Sequence, residues 1–250
     1  MHRNVVIICD GAFPKSEFPR YLIRTADFII CCDGALRKFL RNSKAVFGRD
    51  RLPDLVIGDM DSLPPALMKR HKDIIVKVDE QEHNDQTKAF RWALENLTGI
   101  GHIYILGATG GREDHTIGNM SLLMEYARTY DLEGMGVEVE MITDHGSAFA
   151  VTDTFEMDCG TGRKVSIFSP DNSLRIHSEG LEWPLDNVVF DNWWKATLNK
   201  ASADRVRLEF SHSSIALIML DERDDLRKFI RKSAILVIFL TTKSISDFKS

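Results

Sequence analysis

Five aspartates and one glycine-rich turn are the parts of this 250-residue chain best suited to chemistry. Asp33 stands in Cys31-Cys32-Asp33-Gly34-Ala35, Asp59 and Asp61 in Gly58-Asp59-Met60-Asp61-Ser62, and Asp85 in Asn84-Asp85-Gln86-Thr87-Lys88-Ala89. Asp114 lies in the run GATGGREDHTIGN, from Gly107 to Asn119. Crowded carboxylates repel one another and raise each other's pKa. A hard divalent cation resolves that conflict: Mg²⁺ takes oxygen ligands, keeps several waters and bridges one or two carboxylates to phosphate oxygens. If the backbone of GDMDS is extended, Asp59 and Asp61 point to the same side. The competing structural reading makes Asp61 and Ser62 caps of a helix starting near Pro64.

The glycine turn is the second signal. Gly107, Gly110 and Gly111 allow positive φ and close approach of a ligand to the backbone. A helix beginning near Asp114 would aim its N-terminus at the same spot, which favours phosphate. Arg112 adds a charge-assisted donor. The motif is neither a Walker loop nor G-x-G-x-x-G, and a plain tight turn is the bland alternative. Lys88 follows Asp85 by three residues, on the same helix face. It is a phosphate ligand or a solvated surface lysine.

The elements that must position these residues alternate in the first half. Short β-branched runs recur at Val5–Cys9, Phe28–Cys32, Asp54–Gly58, Ile74–Val78 and His102–Gly107. Helical spacing separates them, most clearly over Asp85–Leu97 and His115–Tyr130. Alternation of this kind predicts an α/β domain with a mostly parallel sheet, which binds ligands at the carboxyl ends of its strands. The aspartates Asp33, Asp59, Asp61 and Asp114 follow strands and Asp85 opens a helix, so all of them are expected at one edge.

After about Gly134 the helical period stops. Short alternating runs follow at Val137–Thr143, Lys164–Ser169, Leu174–Ser178, Arg205–Phe210 and Ser214–Leu220, with turn signals at Cys159–Arg163 and Ser169–Ser173. These predict an antiparallel β-sandwich. The expected division is 1–134 for the α/β catalytic domain, 135–221 for the sandwich and 222–250 for a C-terminal extension. In that extension ERDDLRKFIRK has the look of a charged helix and AILVIFL that of a strand.

Composition narrows the class. Hydrophobic content of 44% and charged content of 28% fit a globular protein. A net charge of −5 gives no sign of a nucleic-acid partner. The cysteines, Cys9, Cys31, Cys32 and Cys159, have no metal-ligand or disulfide spacing and fit a reducing cytoplasmic compartment. The opening run MHRNVVIICDGAF is too short for a signal-peptide core and reads as a first strand. The late apolar run Ala234–Leu240 is far short of a membrane span.

Taken together, CDGA, GDMDS, D-x-x-K-A and GATGGREDH with the later GN resemble, in this order, the thiamine pyrophosphokinase family. Ser178–Leu185, SEGLEWPL, resembles that family's thiamine-binding segment. The resemblance covers residues 1 to about 221. It implies an N-terminal α/β domain, a C-terminal β-sandwich, and a homodimer with active sites between subunits. It also implies thiamine and ATP as substrates, Mg²⁺ as cofactor and AMP as by-product. By this resemblance Asp59, Asp61, Asp85 and Asp114 are catalytic, with Asp59, Asp61 and Asp114 on the metal and either Asp85 or Asp61 as proton acceptor. Asp33, Lys88, Gly110, Gly111, Arg112 and Asn119 belong to the nucleotide, and Trp183, Ser178 and Asn199 to thiamine. An indole suits a cationic heterocycle, whereas Trp193 and Trp194 read as packing residues. The chain departs from the family's T-S-N run: it has Thr197-Leu198-Asn199, with leucine in place of serine. Two rivals remain at this level, a D-x-D nucleotide-sugar transferase and a non-catalytic nucleotide- or thiamine-binding module.

Overall fold

The computed structural model of the chain describes residues 2–222. The expected terminal helix and strand of the extension lie outside the described residues. Six strands run parallel: β1 (Arg3–Ile8), β2 (Phe28–Cys32), β3 (Leu55–Gly58), β4 (Ile75–Lys77), β5 (Ile100–Leu106) and β6 (Glu138–Ile142). Their order is β4-β3-β2-β1-β5-β6. The helices between them are α1 (Glu17–Thr25), α2 (Ala35–Phe47), α3 (Pro65–Arg70), α4 (Asp85–Asn96), α5 (Glu113–Thr129) and α6 (Leu132–Met135).

The first strand is apolar on consecutive residues because both its faces are covered. Val5 and Ile7 pack in one core with Phe90 and Ala93 of α4 and Tyr126 of α5. Val6 and Ile8 pack in another with Ile23 of α1 and Phe39 of α2. Full burial of such a side chain stabilises by roughly 1.5–3 kcal/mol, so β1 anchors both layers.

The sheet continues beyond β6. It turns antiparallel through β7 (Gly146–Val151), β13 (Ala216–Asp221), β9 (Lys164–Phe168) and β11 (Asn199–Lys200), giving ten strands among the described residues. A second sheet of β10 (Ile176–Glu179), β12 (Arg205–Phe210) and β8 (Phe155–Asp158) faces this antiparallel part. Val206, Leu208 and Phe210 alternate inward from β12 onto Val165 and Ile167 of β9. The sandwich is therefore present, but one of its faces is an extension of the parallel sheet. The run at Val137–Thr143, expected in the sandwich, forms β6 and pairs in parallel with β5, from His102 opposite Glu138 to Leu106 opposite Ile142. The change to antiparallel pairing falls at the β6–β7 turn, just past the expected boundary.

Candidate active site

β1 lies between β2 and β5, so the connections from these strands leave in opposite directions and open a crevice at their carboxyl ends. Two turns meet there. Gly11 N donates to Gly107 O and Ala12 N to Thr109 O, each at 2.7 Å. The glycines have steric reasons. A Cβ on Gly11 would lie 2.4 Å from both of those carbonyl oxygens. Gly110, at φ +73°, would place one 2.6 Å from Ala12 Cβ.

Beside the crevice stands an acidic rim. Asp33, Asp59 and Asp85 each offer a carboxylate oxygen, and these oxygens lie within 4.8 Å of one another. Asp33 is buried; its Oδ2 accepts the backbone N–H of Ser62 at 2.9 Å, while its Oδ1 is buried without a hydrogen-bond partner. Gly58 makes this packing possible. With φ +155°, it would put a Cβ 2.9 Å from Asp33 Cβ and 3.0 Å from Asp85 Oδ1. Asp85 is the first residue of α4, whose cap is Asn84 accepting from Thr87 N at 3.0 Å. Lys88, almost fully buried, sits 3.5 Å from Asp85 Oδ1.

Burial raises the pKa of Asp33, opposed by the Ser62 N–H and reinforced by the charge of Asp59. Burial also raises Asp85, opposed by Lys88 and reinforced by Asp59 and Asp33. Asp59 is lowered, first by the N–H of Asp61, which donates to its Oδ1 at 3.1 Å. Three converging carboxylates with one orphaned buried oxygen fit a hard divalent cation, which would offset their mutual repulsion.

The fold does not gather the expected trio. Met60 has φ +68°, so the GDMDS backbone turns instead of running extended. Asp61 is exposed and offers its N–H to Asp59, and it stands outside the cluster. Asp114 is also exposed and outside the cluster; Arg112 grips it through Nε at 3.1 Å and Nη2 at 2.5 Å. Asp33 takes the buried position instead. Asn119 spends its amide on the protein: Nδ2 donates to Ala108 O and Oδ1 accepts from Asn84 Nδ2, both at 2.9 Å. It thereby ties the glycine turn to the cap of α4. Gly110 and Gly111 both lie in that turn.

In the sandwich Trp183 is 55% exposed. Asn199 Nδ2 donates to Trp183 O at 2.7 Å, and its Oδ1 accepts Trp183 N at 3.2 Å. Ser178 Oγ accepts Leu185 N at 2.9 Å. Both side chains are buried and act on the backbone of the Trp183 loop. Trp193 and Trp194, expected to pack, are 57% and 65% exposed. Leu198 is 77% exposed at φ +59°, a conformation rare for a bulky residue.

Asp10 escaped sequence reasoning. The signal was there: Cys9-Asp10-Gly11-Ala12 repeats Cys32-Asp33-Gly34-Ala35 at the end of a neighbouring strand. Asp10 Oδ2 lies where a Gly34 Cβ would come within 2.3 Å.

An α/β half ending in a carboxylate rim and a glycine turn is joined to a sandwich that presents an aromatic side chain, the parts that a phosphoryl-transfer enzyme with a separate substrate-binding half would need. The family model of the thiamin pyrophosphokinase catalytic domain matches residues 19–133, and that of the thiamin pyrophosphokinase substrate-binding domain matches residues 146–216. The chain belongs to the thiamine pyrophosphokinase family, whose members are thiamine diphosphokinases that transfer a diphosphoryl group from ATP to thiamine. Thiamine pyrophosphokinase 1 of Oryza sativa subsp. japonica is 26% identical over 152 residues, which make up 54% of this chain and 54% of that protein, so the chain spans about half of that relative. Thiamin pyrophosphokinase 1 of Caenorhabditis elegans is 23% identical over 205 residues, covering 78% of this chain and 80% of that one. The structure of thiamin pyrophosphokinase from Candida albicans superposes with a TM-score of 0.69 at 18% identity, covering 89% of this chain and 90% of the other, which is a likeness of fold.

Proposed function

We propose that this chain catalyses transfer of the diphosphoryl group of ATP to the hydroxyl of thiamine, giving thiamine diphosphate and AMP. The observation that carries the reading is the rim of Asp33, Asp59 and Asp85, with its orphaned Asp33 Oδ1, beside a glycine turn at the strand ends. These three carboxylates would hold Mg²⁺, which when bound neutralises polyphosphate charge and polarises the phosphoryl group under attack. Lys88 supplies a buried cation next to Asp85. Arg112 and the N–H groups of the Gly110–Gly111 turn take the outer phosphate oxygens.

The thiamine oxygen attacks the β-phosphorus in line, the bond from that phosphorus to the α-phosphate bridging oxygen breaks, and AMP departs. The hydroxyl proton passes to Asp61, whose carboxylate is exposed and outside the trio, while Asp114 keeps Arg112 oriented. Such transfers depend on positioning and electrostatic stabilisation more than on covalent chemistry. Trp183 stacks on the cationic heterocycle, its backbone held by Asn199 while Ser178 holds Leu185 two residues further on.

Rim and Trp183 belong to different halves of the chain. A homodimer, in which one copy brings its Trp183 loop to the rim of the other, accords with the exposed Trp183, Trp193 and Trp194. Four free, buried cysteines accord with a cytoplasmic setting. Among the described residues no helix is long and apolar enough to cross a membrane.

The test is direct. Protein, Mg-ATP and thiamine are mixed and the products read by mass spectrometry. Thiamine-dependent AMP together with thiamine diphosphate is expected; nucleotide consumption that ignores thiamine overturns the reading.

A further inference from the structure

Lys38 of α2 reaches back over the end of β1. Its Nζ donates to Asp10 O at 2.5 Å and to Gly11 O at 2.7 Å, and it pairs with Asp10 Oδ1 at 2.8 Å. An ammonium has three N–H donors. All three have acceptors here, so Lys38 has no donor left for a ligand. The carbonyls it holds belong to the turn whose next two N–H groups bind Gly107 O and Thr109 O. The two turns have no slack between them, since Gly11 and Gly110 leave no room for a methyl group against the opposing turn. A shift at Asp10–Gly11 must therefore carry the glycine turn with it. The third acceptor, the Asp10 carboxylate, also lies against Gly34, the residue after Asp33.

We propose that Lys38 is a positioning residue: acting through the Asp10–Gly11 turn, it fixes the glycine turn Gly107–Gly111 relative to Asp33 so that nucleotide phosphates meet N–H donors. Two carbonyl oxygens freed at the strand end would face the same anionic phosphates and repel them, and Lys38 holds them in place and neutralises their partial charge. The inference rests on the reading that the glycine turn receives the nucleotide.

The experiment compares the full chain with Lys38→Met, Lys38→Arg and Asp10→Asn. In Lys38→Met the KM for ATP rises about tenfold, the scale of one charge-assisted hydrogen bond, while the KM for thiamine stays put. Lys38→Arg restores part of the loss because the charge remains. Asp10→Asn, which keeps the shape and removes one ionic partner, gives a smaller rise and serves if Lys38→Met does not fold. Amide exchange supplies a readout that needs no turnover: protection at Gly107–Gly111 falls in Lys38→Met while that of the Trp183 loop is unchanged. An ATP KM and an exchange profile that both match the parent chain overturn the proposal. If the parent chain makes no thiamine diphosphate, the function fails by itself, and exchange at the glycine turn still decides the role of Lys38.

Discussion

Asn199 holds Trp183 by both of its backbone polar groups, donating to the carbonyl at 2.7 Å and accepting from the N–H at 3.2 Å. The amide is buried and its Oδ1 also accepts the Lys200 N–H at 2.8 Å, so its removal takes a partner from three backbone groups. Asn199→Ala is expected to lower stability by about 1–3 kcal/mol. It should also raise the KM for thiamine while leaving that for ATP unchanged. A thermal melt and two substrate titrations check this, and equal shifts in both KM values would count against a thiamine-specific clamp.

Gly58 is the residue on which the rim closes. Gly58→Ala forces a methyl group to 2.9 Å from Asp33 Cβ and 3.0 Å from Asp85 Oδ1. Magnesium affinity is expected to fall about tenfold or more, which corresponds to roughly 1.4 kcal/mol. Calorimetric titration of Mg²⁺ into both proteins is the measurement. Wild-type affinity in the variant would mean that the ion sits elsewhere.

Leu198 carries backbone strain with little burial in return. Its φ of +59° costs a branched L-residue about 1–2 kcal/mol, and asparagine tolerates that region far better. Leu198→Asn should therefore raise stability by about 1 kcal/mol, read as a higher denaturant midpoint at unchanged slope. A lower midpoint would show that the leucine side chain packs more than its 77% exposure suggests.

His177 and Asp186 pair closely on the outer face of the sandwich, and Leu185, the neighbour of Asp186, is held by Ser178. Asp186 is the main cause of the raised pKa of His177, with Glu179 and Glu209 pushing the same way. The pKa of Asp186 is lowered chiefly by His177. A raised histidine contributes stability that is full below its unfolded value of 6.5 and is lost as pH rises through the folded value. A lowered aspartate contributes above 3.8 and loses that contribution as pH falls through its folded value. The latch is complete between the two folded values. Amide exchange of the Trp183–Asp186 loop, corrected for intrinsic rates, should quicken on the alkaline side of the His177 titration, and His177→Gln should abolish that pH step. A step of the same size in the variant would assign it to another group.

Much of the fold was legible. Doubly buried strands show as unbroken apolar runs, as at Val5–Cys9 and Phe28–Cys32, and α4 and α5 show their helical period within a residue or two of the observed ends. Strands β7 and β8 were not anticipated, because GSAFAV is built largely of small residues and FEMD is short and half polar. The placement of β6 was hidden as well, since period-2 alternation looks alike in parallel and antiparallel pairings.

By itself the sequence determined that acidic residues would stand at the carboxyl ends of parallel strands beside a glycine turn, because residue order and strand period fix which edge a strand end occupies. Tertiary structure alone decided which carboxylates meet. Backbone torsion at Met60 exposed Asp61, the ion pair with Arg112 engaged Asp114, and the absence of a Cβ at Gly58 let Asp33 and Asp85 close on Asp59. Those are angles and contacts between residues distant along the chain, and residue spacing does not encode them.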